Sequence, residues 1–360
     1  MINATQQKIE KSKAFSISSH RNTLNIGFVP MTDCAPLIVA QELGFFKDAG
    51  LDVNLSREVG WASVRERMLH GELDASHAHA SMVYTMSCGL DSQPAPCATG
   101  LVMAHNGSAI SFSNELWELG VRDARSMKRV IDSGKAKRKF RLAVVLKFST
   151  QNYLLRKWLR QGGIDPDTDV EMVVVPPPQV FTCLIQGHID GYCVGEPWSS
   201  IGLIKGVCWC AALTGEVDEM HPEKVLLVGA DFEMDRHEEH VAMIGALIRA
   251  AEYCDKSYNK CELAKVLSDR RYINVSEAAL LNALQGPFQL GMGMQSSSLD
   301  AIIFRRNNAS APTETKARWV LREINQNHLT KTPLELSREQ IQSFFRMDIY
   351  DEAERSVMAA

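Results

Sequence analysis

No stretch of this chain holds the roughly 18 consecutive apolar residues that a membrane-spanning helix needs, so a helical membrane protein is excluded. The first 22 residues, MINATQQKIEKSKAFSISSHRN, contain no apolar run, no twin arginine and no lipid-attachment cysteine. With Met1 as the natural start, the expectation is a cytoplasmic protein with a polar, disordered N-terminal segment over 1–22. The nine cysteines are odd in number, scattered, and without a C-x-x-C pair, which argues against a disulfide framework and a zinc site. Cys208 and Cys210, flanking Trp209 in an apolar run, read as buried reduced thiols. An excess of one charge is missing too. The 39 basic and 43 acidic residues leave −4, too balanced for a nucleic-acid-binding surface spread over the molecule. The one basic run, KAKRK at 135–139, reads as a solvated loop. His77 and His79 alternate along a strand and read as a satisfied pair rather than metal ligands. Asp33 with either could pass for acid–base chemistry, but no nucleophile with an oriented base accompanies them. An enzyme is not expected, and neither is a metal or a cofactor.

What the chain does have is repeated alternation of strand and helix. Residues 173–198, VVVPPPQVFTCLIQGHIDGYCVGEPW, show it best. Val173, Val174 and Val175 predict a buried strand that Pro176, Pro177 and Pro178 end. Val180, Phe181, Leu184 and Ile185 have helical spacing, and Gly187 is a stop signal. Residues 189–194 predict a second buried strand. Strand, helix and strand in this span make a βαβ unit, so a parallel sheet is expected, with ligands beyond the carboxyl ends of its strands.

The same pattern opens the chain. LNIGFVP at 24–30 predicts a strand, Pro36 falls in the first turn of a helix that Gly44 ends, and 51–59 alternates as a second strand. Further strands are expected near 73–76, 98–104 and 109–113, with a break at His105-Asn106-Gly107. Residues 115–133 read as one polar helix. Helices dominate after 237. The organisation expected is a first lobe beginning at 23–110, a second lobe at 111–220, a helical return to the first lobe at 221–330, and a tail at 331–360 that is mostly polar with one amphipathic piece at 337–345. Two crossings between lobes make a hinge, and the cleft between lobes is a natural ligand site.

Several of these motifs, taken in order, resemble the nitrate/bicarbonate branch of the periplasmic-binding-protein-like receptors. They are GFVPMTDCAPLIVAQELGFFKDAGLDV at 27–53, the W-x-x-x-R at 61–65, the G-x-x-D at 71–74 and Asn106-Gly107. LLRKWLRQGGIDPDTDVEMVVVPPPQ at 154–179, C-V-G-E-P-W at 193–198 and H-P-E-K at 221–224 follow. The resemblance covers about 24–325 and implies an α/β, two-lobed, type II fold with a hinge and an interlobe ligand cleft. Members that serve transporters carry an export signal. Without one, this chain resembles most the NasS-type cytoplasmic nitrate/nitrite sensors. Such a sensor closes on nitrate or nitrite and thereby releases an ANTAR-type, RNA-binding antiterminator (NasT-like) that controls nitrate assimilation genes. It touches neither nucleic acid nor membrane itself. The alternative is the substrate-binding component of an ABC transporter for nitrate/nitrite or bicarbonate.

A flat monoanion needs one positive charge, several in-plane N–H or O–H donors and an apolar wall. By resemblance, Lys224 supplies the charge and Trp61 an indole N–H at a helix start. Gly107 and Ser108 fall where transporter receptors place glycine and a glutamine donor. Gln151 falls where they carry histidine, at a helix N-terminus whose amides also favour anions. Thr150 would add a hydroxyl, Pro177 and Val194 the apolar wall, and Gly195 a backbone amide.

Overall fold

The computed structural model describes residues 23–90, 92–297 and 301–359. The segment 1–22 expected to be disordered lies outside the described residues. The opening run forms β1 (Thr23–Phe28), with Leu24, Ile26 and Phe28 buried at alternate positions. The next strands are β2 (Asp52–Arg57), β3 (Ala75–His79), β4 (Cys97–Ala98), β5 (Val102–Asn106) and β6 (Ser108–Ser113). β7 (Arg141–Val144), β8 (Glu171–Val174), β9 (Gly191–Gly195), β10 (Cys208–Leu213) and β11 (Pro222–Gly229) follow. A short hairpin, β12 (Gln289–Gly291) with β13 (Met294–Gln295), and β14 (Ile302–Ile303) complete the set among the described residues.

Apart from the β12–β13 hairpin, these strands form two separate sheets joined by two crossings. The first runs β14-β5-β11-β3-β1-β2, with β4 also on β11. β1 lies parallel to β2 and β3, while β11 is antiparallel to β3 and β5. The second runs β10-β6-β9-β7-β8, with β7 parallel to β8 and β9. The chain leaves the first sheet at Asn106 and Gly107, both in the left-handed region (φ 60° and 81°), so that β6 begins at Ser108 in the second. It returns between β10 and β11.

One apolar cluster joins the first sheet to the helices Ala35–Glu42 and His237–Asp255, and another lies between the second sheet and the helices Ala124–Asp132 and Thr150–Gln161. A third contains Trp61, Ala78 and Val225 from the first sheet's side with Ala143, Val145 and Val194 from the second, so apolar packing continues across the cleft.

Three elements differ from the sequence reading. β8 is an edge strand, and Val174 is 60% exposed, because only β7 covers it; a run of β-branched residues alone does not distinguish an edge from a centre. The single helix expected over 115–133 is two, Asn114–Glu118 and Ala124–Asp132, parted by Gly120 (φ 96°) and restarted by an Asp123–Ser126 capping box. In the tail the amphipathic piece forms the helix Arg338–Phe344 with Ile341 buried, and the stretch after it, expected to be polar, is packed too. Its helix Met347–Ala359 buries Ile349, Tyr350 and Ala353 in the first lobe's outer core. The basic run stays at the surface, where Arg138 forks onto Asp190 at 2.7 and 2.9 Å.

Candidate functional site

Alternation along β3 puts His77 and His79 on one face of the strand. β11, its antiparallel neighbour, sets Lys224 opposite His79. Glu223 and Lys224 are consecutive, and a regular strand would send them to opposite faces. The β11–β5 register shifts on both sides of Lys224, and such an irregularity re-aims side chains. Both therefore enter one cluster with Asp33, which comes from the turn after β1. His77, His79, His221, Glu223 and Lys224 are 0% exposed and Asp33 is 1%.

Lys224 Nζ sits between two carboxylates, 2.8 Å from Asp33 Oδ2 and 2.6 Å from Glu223 Oε1. His77 Nε2 lies 2.9 Å from Asp33 Oδ1. His79 Nδ1 is 3.5 Å from Glu223 Oε1, and His221 Nε2 is 3.4 Å from Glu223 Oε2. Trp61 opens the helix Trp61–Leu69 and roofs the cluster. Its ring centroid is 4.3 Å from that of His79 and 5.4 Å from that of His77, with the Lys224 ammonium 5.4 Å away. That ammonium–ring spacing is within cation–π range.

The second lobe closes over this cluster with polar contacts of its own. Gln151, in the first turn of the helix Thr150–Gln161, donates from Nε2 to Glu223 Oε1 at 2.8 Å and to Ser108 Oγ at 2.9 Å. The Thr32 amide and hydroxyl donate to the Glu196 carbonyl at 2.8 and 3.1 Å. The Trp198 indole donates to the Pro30 carbonyl at 3.0 Å, and the Ser81 hydroxyl to the Phe148 carbonyl. Gly195 lies so close to the first lobe that a Cβ there would meet Met31 Cε at 2.7 Å and Asp33 Oδ2 at 3.6 Å.

Burial alone would neutralise these groups, and mutual pairing decides otherwise for three of them. Burial pushes the Glu223 carboxyl up, but Lys224, His221 and His79 outweigh it and hold it well below the usual range. Asp33 is held down in the same way by Lys224 and His77. Lys224, pushed down by burial, is raised on balance by Asp33 and Glu223. The histidines go the other way. Burial and then the Lys224 charge push His79 down to about 4, and burial lowers His77 despite Asp33. Beside the cluster, burial pushes the Glu196 carboxyl up to about 7.

Of the residues proposed from sequence, Trp61, Ser108, Gln151 and Lys224 come together in this cluster. Gly195 and Val194 end β9 beside it, Gly195 opposite Ser108 and Val194 opposite Ala109. Gly107 accepts from the Glu196 amide at 2.9 Å. Thr150 and Pro177 are buried in the second lobe, and no hydrogen bond ties Thr150 to the cluster among the described residues. Asp33, His221 and Glu223 join the cluster without being among the anion-site residues that the sequence points to, and the strand pair His77 and His79, structural by its sequence pattern, lies in the cluster as well. The available signal was the H-P-E-K run itself, since a buried lysine requires a buried counter-charge. Among the buried polar atoms of the cluster with no hydrogen-bond partner among the described residues are the Trp61 indole N–H, a donor, Gln151 Oε1, an acceptor, and both ring nitrogens of His79. A surface cavity of about 550 Å³ lies elsewhere, between the helices Trp198–Ile204 and Glu277–Leu284 and the β12–β13 hairpin.

The NMT1-like family model matches residues 18–268. The nitrate/nitrite binding protein NrtA of Nostoc sp. (strain PCC 7120) is 32% identical over 328 residues, which cover 89% of this chain and 72% of that protein. The bicarbonate-binding protein CmpA of Synechococcus sp. (strain ATCC 27144) is 31% identical over 316 residues, covering 84% and 70%. The chain spans only 45% and 41% of the length of two longer ATP-binding transport proteins that it also matches, at 33% and 37% identity. Among solved structures, that of the periplasmic nitrate-binding protein NrtA from Synechocystis PCC 6803 superposes with a TM-score of 0.87 at 27% identity, over 95% of this chain and 90% of that one.

Proposed function

This chain belongs to the NMT1-like family, and we propose that it binds nitrate or nitrite in the interlobe cleft and serves as a cytoplasmic nitrate/nitrite sensor. The observation that carries anion binding is the cluster at the lobe boundary. A buried ammonium lies 5.4 Å from the centroid of the Trp61 ring, whose indole N–H is unpartnered among the described residues, with Gln151 and Ser108 closing in from the other lobe. The likeness to nitrate-binding NrtA supports the same ligand class. A small planar anion suits this site because the lobes contact each other directly around it, leaving little room for a bulky substituent.

Signalling in this reading is closure. The anion stabilises the closed form in proportion to its differential affinity for it. An RNA-binding antiterminator of the ANTAR type that binds only the open form would be released, and by reciprocity would weaken anion binding. A second reading, the substrate-binding component of an ABC transporter for nitrate, nitrite or bicarbonate, is favoured by the likeness to NrtA and CmpA.

Isothermal titration with nitrate, nitrite, bicarbonate and sulfate tests the ligand, on the wild type and on Lys224→Ala and Trp61→Phe. Trp61→Phe keeps an aromatic ring at the position but removes the indole N–H with its five-membered ring, so it reports on the site if loss of Lys224 compromises folding. Nitrate or nitrite binding that both changes weaken sustains the reading; binding of bicarbonate alone overturns the ligand. An antiterminator affinity unchanged by saturating nitrate and nitrite overturns the sensor role.

A further inference from the structure

The formal charges of the cluster do not suit an anion as they stand. One ammonium, Lys224, lies between two carboxylates, and among the described residues no other lysine or arginine pairs with either of them. The lysine and the two carboxylates by themselves leave one net negative charge in the cleft core before any ligand enters. A monoanion added there raises the excess to two in a site walled from water, where like charges repel far more strongly than in solution. We propose, building on the anion-binding reading, that the site takes its oxyanion together with a proton, and that His79 is the group that holds it.

His79 is placed for this. Its Nδ1 faces Glu223 Oε1 at 3.5 Å, its ring lies against Trp61, and neither ring nitrogen has a hydrogen-bond partner among the described residues. As an imidazolium it would present one N–H toward Glu223 and leave the second for the anion. His77 is placed differently, since its Nε2 already lies 2.9 Å from Asp33. His221 directs Nδ1 to the Asp218 carbonyl at 2.7 Å and Nε2 toward Glu223 Oε2. A carbonyl only accepts, so that Nδ1 carries the hydrogen.

The other groups around His79 are accounted for element by element. The turn after β1 brings Asp33 and Cys34, whose thiol burial pushes up. β11 brings Glu223 and Lys224, the residue before it is His221, and β3, the strand of His79 itself, brings His77. The second lobe brings the uncharged Gln151 and Ser108 and, on β9, the Cys193 thiol, which burial also pushes up. On β5, His105 contacts the Met220 and Ala309 carbonyls instead of the cluster.

The sign of the effect follows from the free protein, in which His79 is pushed down to about 4 and is neutral above that. An added negative charge raises its affinity for a proton, so binding and protonation reinforce each other. Above about pH 4 and below the His79 pKa of the complex, the anion's Kd should rise about tenfold per pH unit, one proton being taken up per anion. A cation arriving with the anion is the other way to balance the charge, but no group of three or more His, Cys, Asp or Glu side chains among the described residues is arranged to hold a metal ion.

The test is nitrate and nitrite titration calorimetry from pH 5.5 to 8.5, at each pH in buffers of widely different ionisation enthalpy. The dependence of the measured heat on the buffer's enthalpy counts the protons. The expected result is uptake near one proton per anion at pH 6 and a matching pH-dependent Kd, both abolished in His79→Gln and both kept in His237→Gln, whose ring lies outside the cluster beside Glu352. Anion binding with no proton uptake and a pH-independent Kd in the wild type overturns the inference and leaves the anion-binding reading standing. So does an affinity that depends on added potassium or calcium in place of pH. Uptake that persists unchanged in His79→Gln overturns the assignment to that residue. If neither anion binds at any pH, the anion-binding reading itself fails. The wild-type measurement decides the coupling even if a variant folds poorly.

Discussion

The Gln151 amide of the second lobe donates to the Glu223 carboxylate of the first at 2.8 Å, and the same nitrogen reaches the Ser108 hydroxyl at 2.9 Å. A carboxylate only accepts, so this contact fixes which end of the amide faces it. The other end, Oε1, stays buried with no partner among the described residues. One side chain thus ties the closed lobes together at the ionic cluster.

Replacing Gln151 with leucine should weaken nitrate or nitrite binding about 10- to 100-fold, because Glu223 loses a buried donor worth about 1–3 kcal/mol in the closed form. Gln151→His retains an N–H for Glu223 and should stay within about tenfold of the wild type by the same scale. Calorimetric titration of both variants checks this. Equal losses would show that the amide acts through its shape and not through the hydrogen bond.

Gly195 faces Met31 across the cleft, and an added Cβ would lie 2.7 Å from the Met31 thioether methyl. The two residues belong to different lobes, so the clash acts on closure more than on the folding of either lobe. Gly195→Ala should lose about tenfold or more in anion affinity, a penalty of about 1–3 kcal/mol from overpacking. Its Tm without ligand should stay close to the wild-type value. Scattering from the free and nitrate-saturated variant should show less compaction than in the wild type.

Two buried groups pull stability in opposite directions with pH. His79, at about 4 in the fold against an ordinary 6.5, binds its proton more readily in the unfolded chain. Its contribution is present above pH 6.5 and lost as pH falls toward 4. Glu196, at about 7 against an ordinary 4.5, binds its proton more readily in the fold. Its contribution is present below pH 4.5 and lost as pH rises through 7. Each spans on the order of 3 kcal/mol. Urea unfolding should therefore find Glu196→Gln more stable than the wild type at pH 8 and no more stable at pH 4.5. His79→Gln should lose less stability than the wild type on going from pH 7 to pH 5.

The sequence carried the two α/β blocks because their strands and helices have clear periods and clear stops, such as Gly44 after the first long helix and the prolines after β8. It carried Lys224, Trp61 and Gln151 through the resemblance of their motifs. It did not reveal that Glu223 would share the cleft with Lys224, because adjacent strand residues point apart unless an irregular register turns one of them, and register is a property of two strands. Asp33 was hidden for a related reason. It stands 191 positions before Lys224, and only the order β11-β3-β1 brings the two within 2.8 Å. The exposure of Val174 is not legible locally either, because the place of β8 at the sheet edge is set by strands distant in sequence.

The C-terminal helix Met347–Ala359 reads as polar in sequence, yet Tyr350 is fully buried beside the helix His237–Asp255. The two helices approach closely enough at Gly245 that a Cβ there would touch Val357 at 3.4 Å. Arg305 donates to the Tyr350 hydroxyl and pairs with Glu354, and Arg346 anchors the start of the helix through Glu233 at 2.9 Å. All of this lies in the first lobe's outer core, apart from the apolar cluster that contains Trp61. Tyr350→Ala should therefore destabilise the protein by about 3–5 kcal/mol, as truncation of a large buried ring does. It should leave the nitrate or nitrite Kd unchanged at temperatures where the variant is folded. Denaturant melts and titrations on the same preparation measure the two effects together. A loss of affinity equal to the loss of stability would mean that this helix controls closure of the cleft as well as the integrity of its lobe.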